Sequence, residues 1–239
     1  MADGGVKDAS AYPGLESLSA LIDAKRRDAP FVIGQLGQSL DGRVATASGD
    51  SHYINGPAAL EHLHRLRALV DAVIVGAGTV ISDDPQLTVR RVPGPSPSRV
   101  VIDPNNRTPS DSRWRTDDGC GHLQLIREDD GVEGCEVTIP IGCDDDGQIS
   151  VPKIIEALGQ RGMTRLLIEG GAMTVSHWMQ AGAMDRLHLL VSPIILGDGP
   201  VGLSLNPKGD RIADAWQLNT RHFPLPGGDY LIDCELKRA

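Results

Sequence analysis

An amphipathic helix that feeds almost directly into an apolar strand constrains this chain more than any other feature. Asn55 can cap such a helix, Pro57 suits its first turn, and Ala59, Leu60, Leu63, Leu66, Leu69 and Val70 form one apolar stripe. Asp71 alone separates the stripe from the strand candidate Ala72–Val75, which ends in Gly76-Ala77-Gly78-Thr79. A helix joined that tightly to a buried strand must pack on the sheet the strand enters.

The same alternation runs along the chain. Strand candidates stand at Phe31–Gly37, Arg99–Asp103, Leu123–Ile126, Cys135–Ile139, Arg165–Ile168, Leu187–Val191 and Ile194–Leu196. Further helices are expected from about Pro152 to Gln160, closed by Gly162, and from Ala172 to Ala181. The pattern predicts a three-layer αβα domain around a mainly parallel sheet with right-handed crossovers. Two last runs, Ala215–Phe223 and Tyr230–Leu236, are split by Pro224-Leu-Pro-Gly-Gly228 and predict an antiparallel hairpin at the sheet edge. Residues 1–29 read as an extension, a polar start followed by a short amphipathic helix with Leu15, Leu18, Leu21 and Ile22. Residues 30–239 read as one domain without internal repeats, with a long polar loop over residues 39–54.

Composition removes several classes of function. A net charge of −9 with no Lys/Arg block argues against a nucleic-acid surface. Cys120, Cys135, Cys143 and Cys234 lie far apart without a C-x-x-C pair, so neither a zinc site nor a disulfide framework is signalled, and a cytoplasmic, reducing setting is expected. The first thirty residues lack a leader's apolar core, and no run reaches the roughly eighteen apolar residues of a membrane span. His62 and His64, two apart on the stripe helix, point in different directions, so no metal pair is expected.

Motif chemistry narrows the choice further. The pattern G-x-G-x-x-G fails because Ile81 occupies the third glycine position, which disfavours a Rossmann domain, and no P-loop occurs. A G-x-S-x-G elbow and the zinc-deaminase signature are also absent from the sequence. What remains are two strand ends that open helical turns, Gly76-Ala77-Gly78-Thr79 and Glu169-Gly170-Gly171, whose free N–H groups suit a phosphate. Glu169 closes an apolar strand, where an unpartnered carboxylate is costly and where open α/β sheets hold their ligands. It suits either a ligand's hydroxyl or N–H groups or the capping of the next helix. Asp83, Asp84 and Arg90 follow the first turn, and Arg67 on the stripe helix suits either a phosphate or a surface ion pair.

Six segments then stand in the order of a known family: Ser39-Leu-Asp-Gly-Arg43, Ala47-Ser-Gly-Asp-Ser51, Val75-Gly-Ala-Gly-Thr-Val80, Asp83-Asp-Pro-Gln-Leu-Thr-Val-Arg90, Val101-Ile-Asp103 and Ile168-Glu-Gly-Gly171. Over about residues 30 to 238 the chain resembles the pyrimidine reductases of riboflavin biosynthesis, here without their frequent deaminase partner. The resemblance implies a dihydrofolate-reductase-like fold, a homodimer through the sheet edge, and NADPH-dependent reduction of a ribosylamino-pyrimidine 5′-phosphate. It also implies substrate contacts from Gln35, Ser51, Arg67, Leu87, Arg90 and Glu169. Cofactor contacts would come from Gly37, Tyr53, Thr79, Asp83 and the turn Gly171, Ala172, Met173 and Thr174, with Arg107 a further candidate for the 2′-phosphate. No general acid is identified. Gln35 stands where many bacterial members carry lysine, and where archaeal-type members are also neutral. This leaves open whether the substrate is deaminated. Tyr53 replaces a frequent tryptophan and keeps an aromatic face. A reductase of another heterocycle, such as a pterin, and a noncatalytic nucleotide-binding module remain the alternatives.

Overall fold

The computed structural model describes residues 14–24, 29–52, 54–128, 137–206 and 209–236. Nine strands among them form one sheet: β1 Phe31–Ser39, β2 Ala72–Gly76, β3 Ser98–Ile102, β4 His122–Arg127, β5 Thr138–Ile141, β6 Arg165–Glu169, β7 Arg186–Ser192, β8 Asn219–Pro224 and β9 Tyr230–Glu235. Their spatial order is β5-β4-β3-β2-β6-β1-β7-β9-β8. Strands β1 to β7 are parallel, and β9 pairs antiparallel with both β7 and β8, which gives the expected hairpin at one edge. The helices are α1 Ser19–Ala24, α2 Pro57–Leu69, α3 Ala77–Asp83, α4 Val151–Gly159 and α5 Ala172–Gln180.

The period-two alternation of the strands sorts side chains onto two faces. Leu166 and Ile168 of β6 pack with Ile154 and Leu158 of α4 and Val175 and Trp178 of α5. Leu167 faces the other way, into a cluster with Leu66 of α2, Val80 of α3 and Leu18, Leu21 and Ala24 near the N terminus. Covered on both faces, β2 and β6 read in sequence as unbroken apolar runs.

Topology fixes where a ligand can sit. Strand β6 inserts between β1 and β2, and β7 lies beyond β1, so successive connections run in opposite directions from this centre. Such a reversal opens a crevice at the carboxyl ends of the strands. Gly76, Glu169 and the end of β1 all lie there.

Three local expectations change. Gly56, not Asn55, is the N-cap of α2, because the Asn55 side chain is drawn across to donate to the Leu190 carbonyl at 3.2 Å. Ile194–Leu196 is a loop instead of a strand: Leu40 N–H donates to the Ile194 carbonyl at 2.8 Å, and Leu196 and Gly197 N–H donate to the Asp41 carboxylate at 3.1 and 2.8 Å. The run expected from Ala215 becomes a strand only at Asn219, after a 3₁₀ turn at Ile212–Asp214. The first two residues of the Cys135–Ile139 candidate lie outside the described residues; β5 begins at Thr138.

Candidate active site

Glu169 ends β6 because the chain turns at once through Gly170 and Gly171, whose φ angles of 65° and 61° favour glycine. Its carboxylate is buried, and α2 crosses the sheet to meet it. Arg67 Nε donates to Oε1 at 2.7 Å and Nη2 donates to Oε2, while Nη1 donates to the Thr88 carbonyl at 2.9 Å. A bidentate guanidinium is the partner that can offset the desolvation of a buried carboxylate. Arg67 therefore forms a buried pair, not a surface one, and Glu169 directs both oxygens to it instead of capping α5.

The chain after α3 delivers more positive charge to the same place. Asp84 and Leu87 take left-handed φ values of 38° and 58°, and Leu87 is buried in the α2-side core. Arg113 is held by Asp84: its N–H donates to Oδ1 at 2.8 Å and its Nε to the carbonyl at 2.7 Å. Partial desolvation and the charges of Arg67, Arg113 and Arg91 push the Arg90 guanidinium below its ordinary value, with Glu169 acting in the opposite sense. Four guanidinium groups thus gather around two carboxylates that are already ion-paired. The excess positive charge suits a multiply charged anion.

A second set of groups meets at the glycine turns. A Cβ at Gly76 would lie 2.6 Å from Thr174 Oγ1, and one at Gly171 would lie 3.0 Å from Thr79 Oγ1. Each turn accepts the other's threonine because it lacks a side chain. Gly171 is the N-cap of α5, and the first helical bond runs from Val175 N–H to the Gly171 carbonyl at 3.2 Å. The amides of Ala172, Met173 and Thr174 precede that bond and are the donors with which a helix N-terminus holds phosphate.

The other expected residues are spread around these two sets. Gln35 is buried on β1, in register with Glu169 on one side and His188 on the other. Gly37 lies two residues further on, where a Cβ would collide with the Asn55 side chain. Ser51 is half-buried in the loop after β1, and Asp83 is the exposed last residue of α3. Arg107 is exposed, with its backbone N–H donating to Asp103 Oδ1 at 2.9 Å. Tyr53 lies outside the described residues.

Three residues of the site were not singled out for it from sequence: His64, Arg91 and Arg113. His64 precedes Arg67 by three and so shares its helix face, a signal that was available. Arg113 carries none, because only the fold brings it back to Asp84. Among the described residues no cluster of His, Cys, Asp and Glu is arranged for a metal ion, and no helix is long and apolar enough to cross a membrane.

The nine-strand, mostly parallel sheet closed by an antiparallel C-terminal hairpin is an α/β domain of the dihydrofolate-reductase-like fold. Dihydrofolate reductase from Enterococcus faecalis, solved with NADP(H), superposes with a TM-score of 0.50 at 11% identity, over 87% of this chain and 97% of that one. Residues 30–218 match the RibD C-terminal domain, and the chain belongs to that family. It is 31% identical to the 2,5-diamino-6-ribosylamino-4(3H)-pyrimidinone 5′-phosphate reductase of Methanothermobacter thermautotrophicus, over 87% of this chain and 99% of that protein. The solved diaminohydroxyphosphoribosylaminopyrimidine deaminase/5-amino-6-(5-phosphoribosylamino)uracil reductase of Thermotoga maritima is 25% identical with a TM-score of 0.73, over 92% of this chain and 60% of that one. The curated RibD proteins are longer, and the chain spans between 53% and 59% of their length.

Proposed function

We propose that this protein is an NADPH-dependent oxidoreductase that converts the ribosylamino side chain of a pyrimidine 5′-phosphate to ribitylamino in riboflavin biosynthesis. The observation that carries this is the arginine cluster around Arg90, set beside the Arg67–Glu169 pair on the same sheet edge as the N-terminus of α5. The stand-alone archaeal relative, matched over nearly its whole length, supports the same activity.

In this reading Arg90, Arg91 and Arg113 hold the substrate phosphate. Arg67 holds the Glu169 carboxylate in place through both oxygens, so that its remaining lone pairs accept hydrogen bonds from the substrate, while Gln35, Ser51 and Leu87 complete that subsite. The amides of Ala172, Met173 and Thr174, opened by Gly171, hold the cofactor pyrophosphate, with Thr79, Gly37, Asp83 and Tyr53 beside it. The close approach at Gly76 and Gly171, which a Cβ would block, fits a backbone cradle of that kind. When bound, the reduced nicotinamide supplies hydride to C1′ of the opened ribose. The chain's own part is to align two ligands and exclude water. A cytoplasmic homodimer built on residues 30–239, with 1–29 as an extension, belongs to the same proposal, with β8, the exposed one of the two outer strands β5 and β8, as its seam.

The test is NADPH oxidation with the aminopyrimidine ribose phosphate in deaminated and non-deaminated forms, with dihydrofolate as the control. Loss of NADPH absorbance with either pyrimidine but not with dihydrofolate supports the proposal. Binding without turnover of either form would return the chain to a noncatalytic module. Arg90→Ala is expected to raise the substrate KM roughly 10–100-fold, as for loss of charge-assisted bonds, with little change in the NADPH KM. The opposite split would mean that the two subsites are exchanged.

A further inference from the structure

His64 lies on the buried side of α2 and is not needed to describe either ligand. Its Nδ1 accepts the Arg90 backbone N–H at 2.9 Å. Neighbouring backbone groups are tied down as well. The Thr88 carbonyl accepts from Arg67 at 2.9 Å, and Val89 N–H donates to Ser96 Oγ at 2.9 Å. The anchored segment follows Leu87, which is buried in a left-handed conformation. The Arg90 side chain is left exposed, with Nη1 donating to Thr88 Oγ1 at 3.1 Å.

We propose that His64 is a positioning residue: a neutral acceptor that fixes the Arg90 main chain so that its guanidinium faces the substrate phosphate with its charge undiminished. This rests on the phosphate subsite proposed above. The choice of acceptor matters because an aspartate at this place would hold the N–H equally well. Its charge, however, would neutralise part of the arginine cluster and compete with the phosphate. An imidazole brings no negative charge, and its Nδ1 can accept only while the ring is unprotonated. Burial and the positive charges of Arg67 on its own helix, and of Arg90 and Arg91 on the facing loop, push its pKa down to about 4. At neutral pH Nδ1 therefore stays an acceptor, with the ring proton on Nε2.

The experiment compares His64→Asn, His64→Asp and His64→Leu, because the Asn and Asp oxygens can both stand in for Nδ1 while only Asn is neutral. Each variant is assayed for the substrate KM, the NADPH KM and inhibition by inorganic phosphate. His64→Leu should raise the substrate KM and the phosphate inhibition constant roughly 3- to 10-fold, the ordinary worth of one hydrogen bond. His64→Asn should stay near the parent enzyme, and His64→Asp should weaken phosphate although it keeps the hydrogen bond. The NADPH KM should not move. If Asn is no better than Leu or Asp, or if the NADPH KM rises in parallel, His64 is merely structural and the proposal falls. Should the Leu variant not fold, the Asn and Asp pair decides alone. If His64 fails while Arg90→Ala still raises the substrate KM, only the positioning role is lost. If Arg90→Ala leaves that KM unchanged, the phosphate subsite and the His64 role fall together.

Discussion

Arg67→Met is expected to lower the free energy of unfolding by about 3–5 kcal/mol and to abolish turnover, because it strands a buried carboxylate. Arg67 meets both Glu169 oxygens and the Thr88 carbonyl, so one substitution removes the charge partner of β6 and an anchor of the loop that carries Arg90. For a domain of this size the loss corresponds to roughly 10 °C in Tm. Glu169→Gln should be destabilised for the mirror reason, since it leaves the guanidinium buried with one oxygen to bind. The double variant Arg67→Met/Glu169→Leu separates the two effects. With no buried charge left, it should regain most of the lost Tm and remain inactive. Thermal melts and steady-state rates on the four proteins check this. A single variant that melts within a degree or two of the parent would show that the pair is wetter and weaker than its geometry implies.

That pair also marks where sequence stops speaking. The strands and the large helices were legible because burial on two faces writes apolar runs such as Ala72–Val75 and Leu166–Ile168, and because the α2 stripe has a helical period. The turn at Gly170 and Gly171 was legible too, since a strand that stops on glycines must change direction. Glu169 could be suspected as functional, because a carboxylate at a strand end is anomalous. Its partner could not be chosen, because Arg67 lies 102 residues away, and its place on the α2 stripe, between Leu63 and Val70, signals burial without saying what it meets. The same holds for Arg113 and Asp84, joined across 29 residues. Ile194–Leu196 misled for a related reason: the apolar run is strand-like, but its backbone groups are satisfied by the Ser39–Arg43 turn instead of a neighbouring strand. Local pattern reports the layer a residue belongs to, and long-range pairing reports what it does there.

Acid should destabilise this fold well before its carboxylates titrate, and the buried histidines are the cause. His62 Nε2 lies 2.9 Å from His188 Nδ1, and His188 Nε2 lies 3.4 Å from Asp233 Oδ1. The three side chains form a buried row between α2, β7 and β9. Burial, reinforced by His188 and Arg65, pushes His62 from 6.5 to about 3. Burial also pushes His188 down, against the pull of Asp233. His64 is held at about 4 by burial and its arginine neighbours. In the unfolded chain each imidazole takes up its proton near pH 6.5, whereas in the folded chain it does not, so the unfolded state binds more protons throughout that interval and stability falls as pH falls. At 1.36 kcal/mol per pH unit, His64 alone removes about 2 kcal/mol on going from neutral pH to about pH 5, and the His62–His188 pair adds to it. Asp71 and Asp233 act lower on the scale. Burial works to raise both, but the Arg165 bonds hold Asp71 below 3.8, and His188, Arg186 and Arg221 hold Asp233 below it. Their stabilisation is present above that value and is lost only beneath it. A plot of Tm against pH should therefore turn downward below about pH 6.5 and drop by about 10 °C near pH 5. A flat profile between pH 7 and 5, with loss only below about pH 4, would mean that these histidines carry charge in the fold and that the burial argument is wrong.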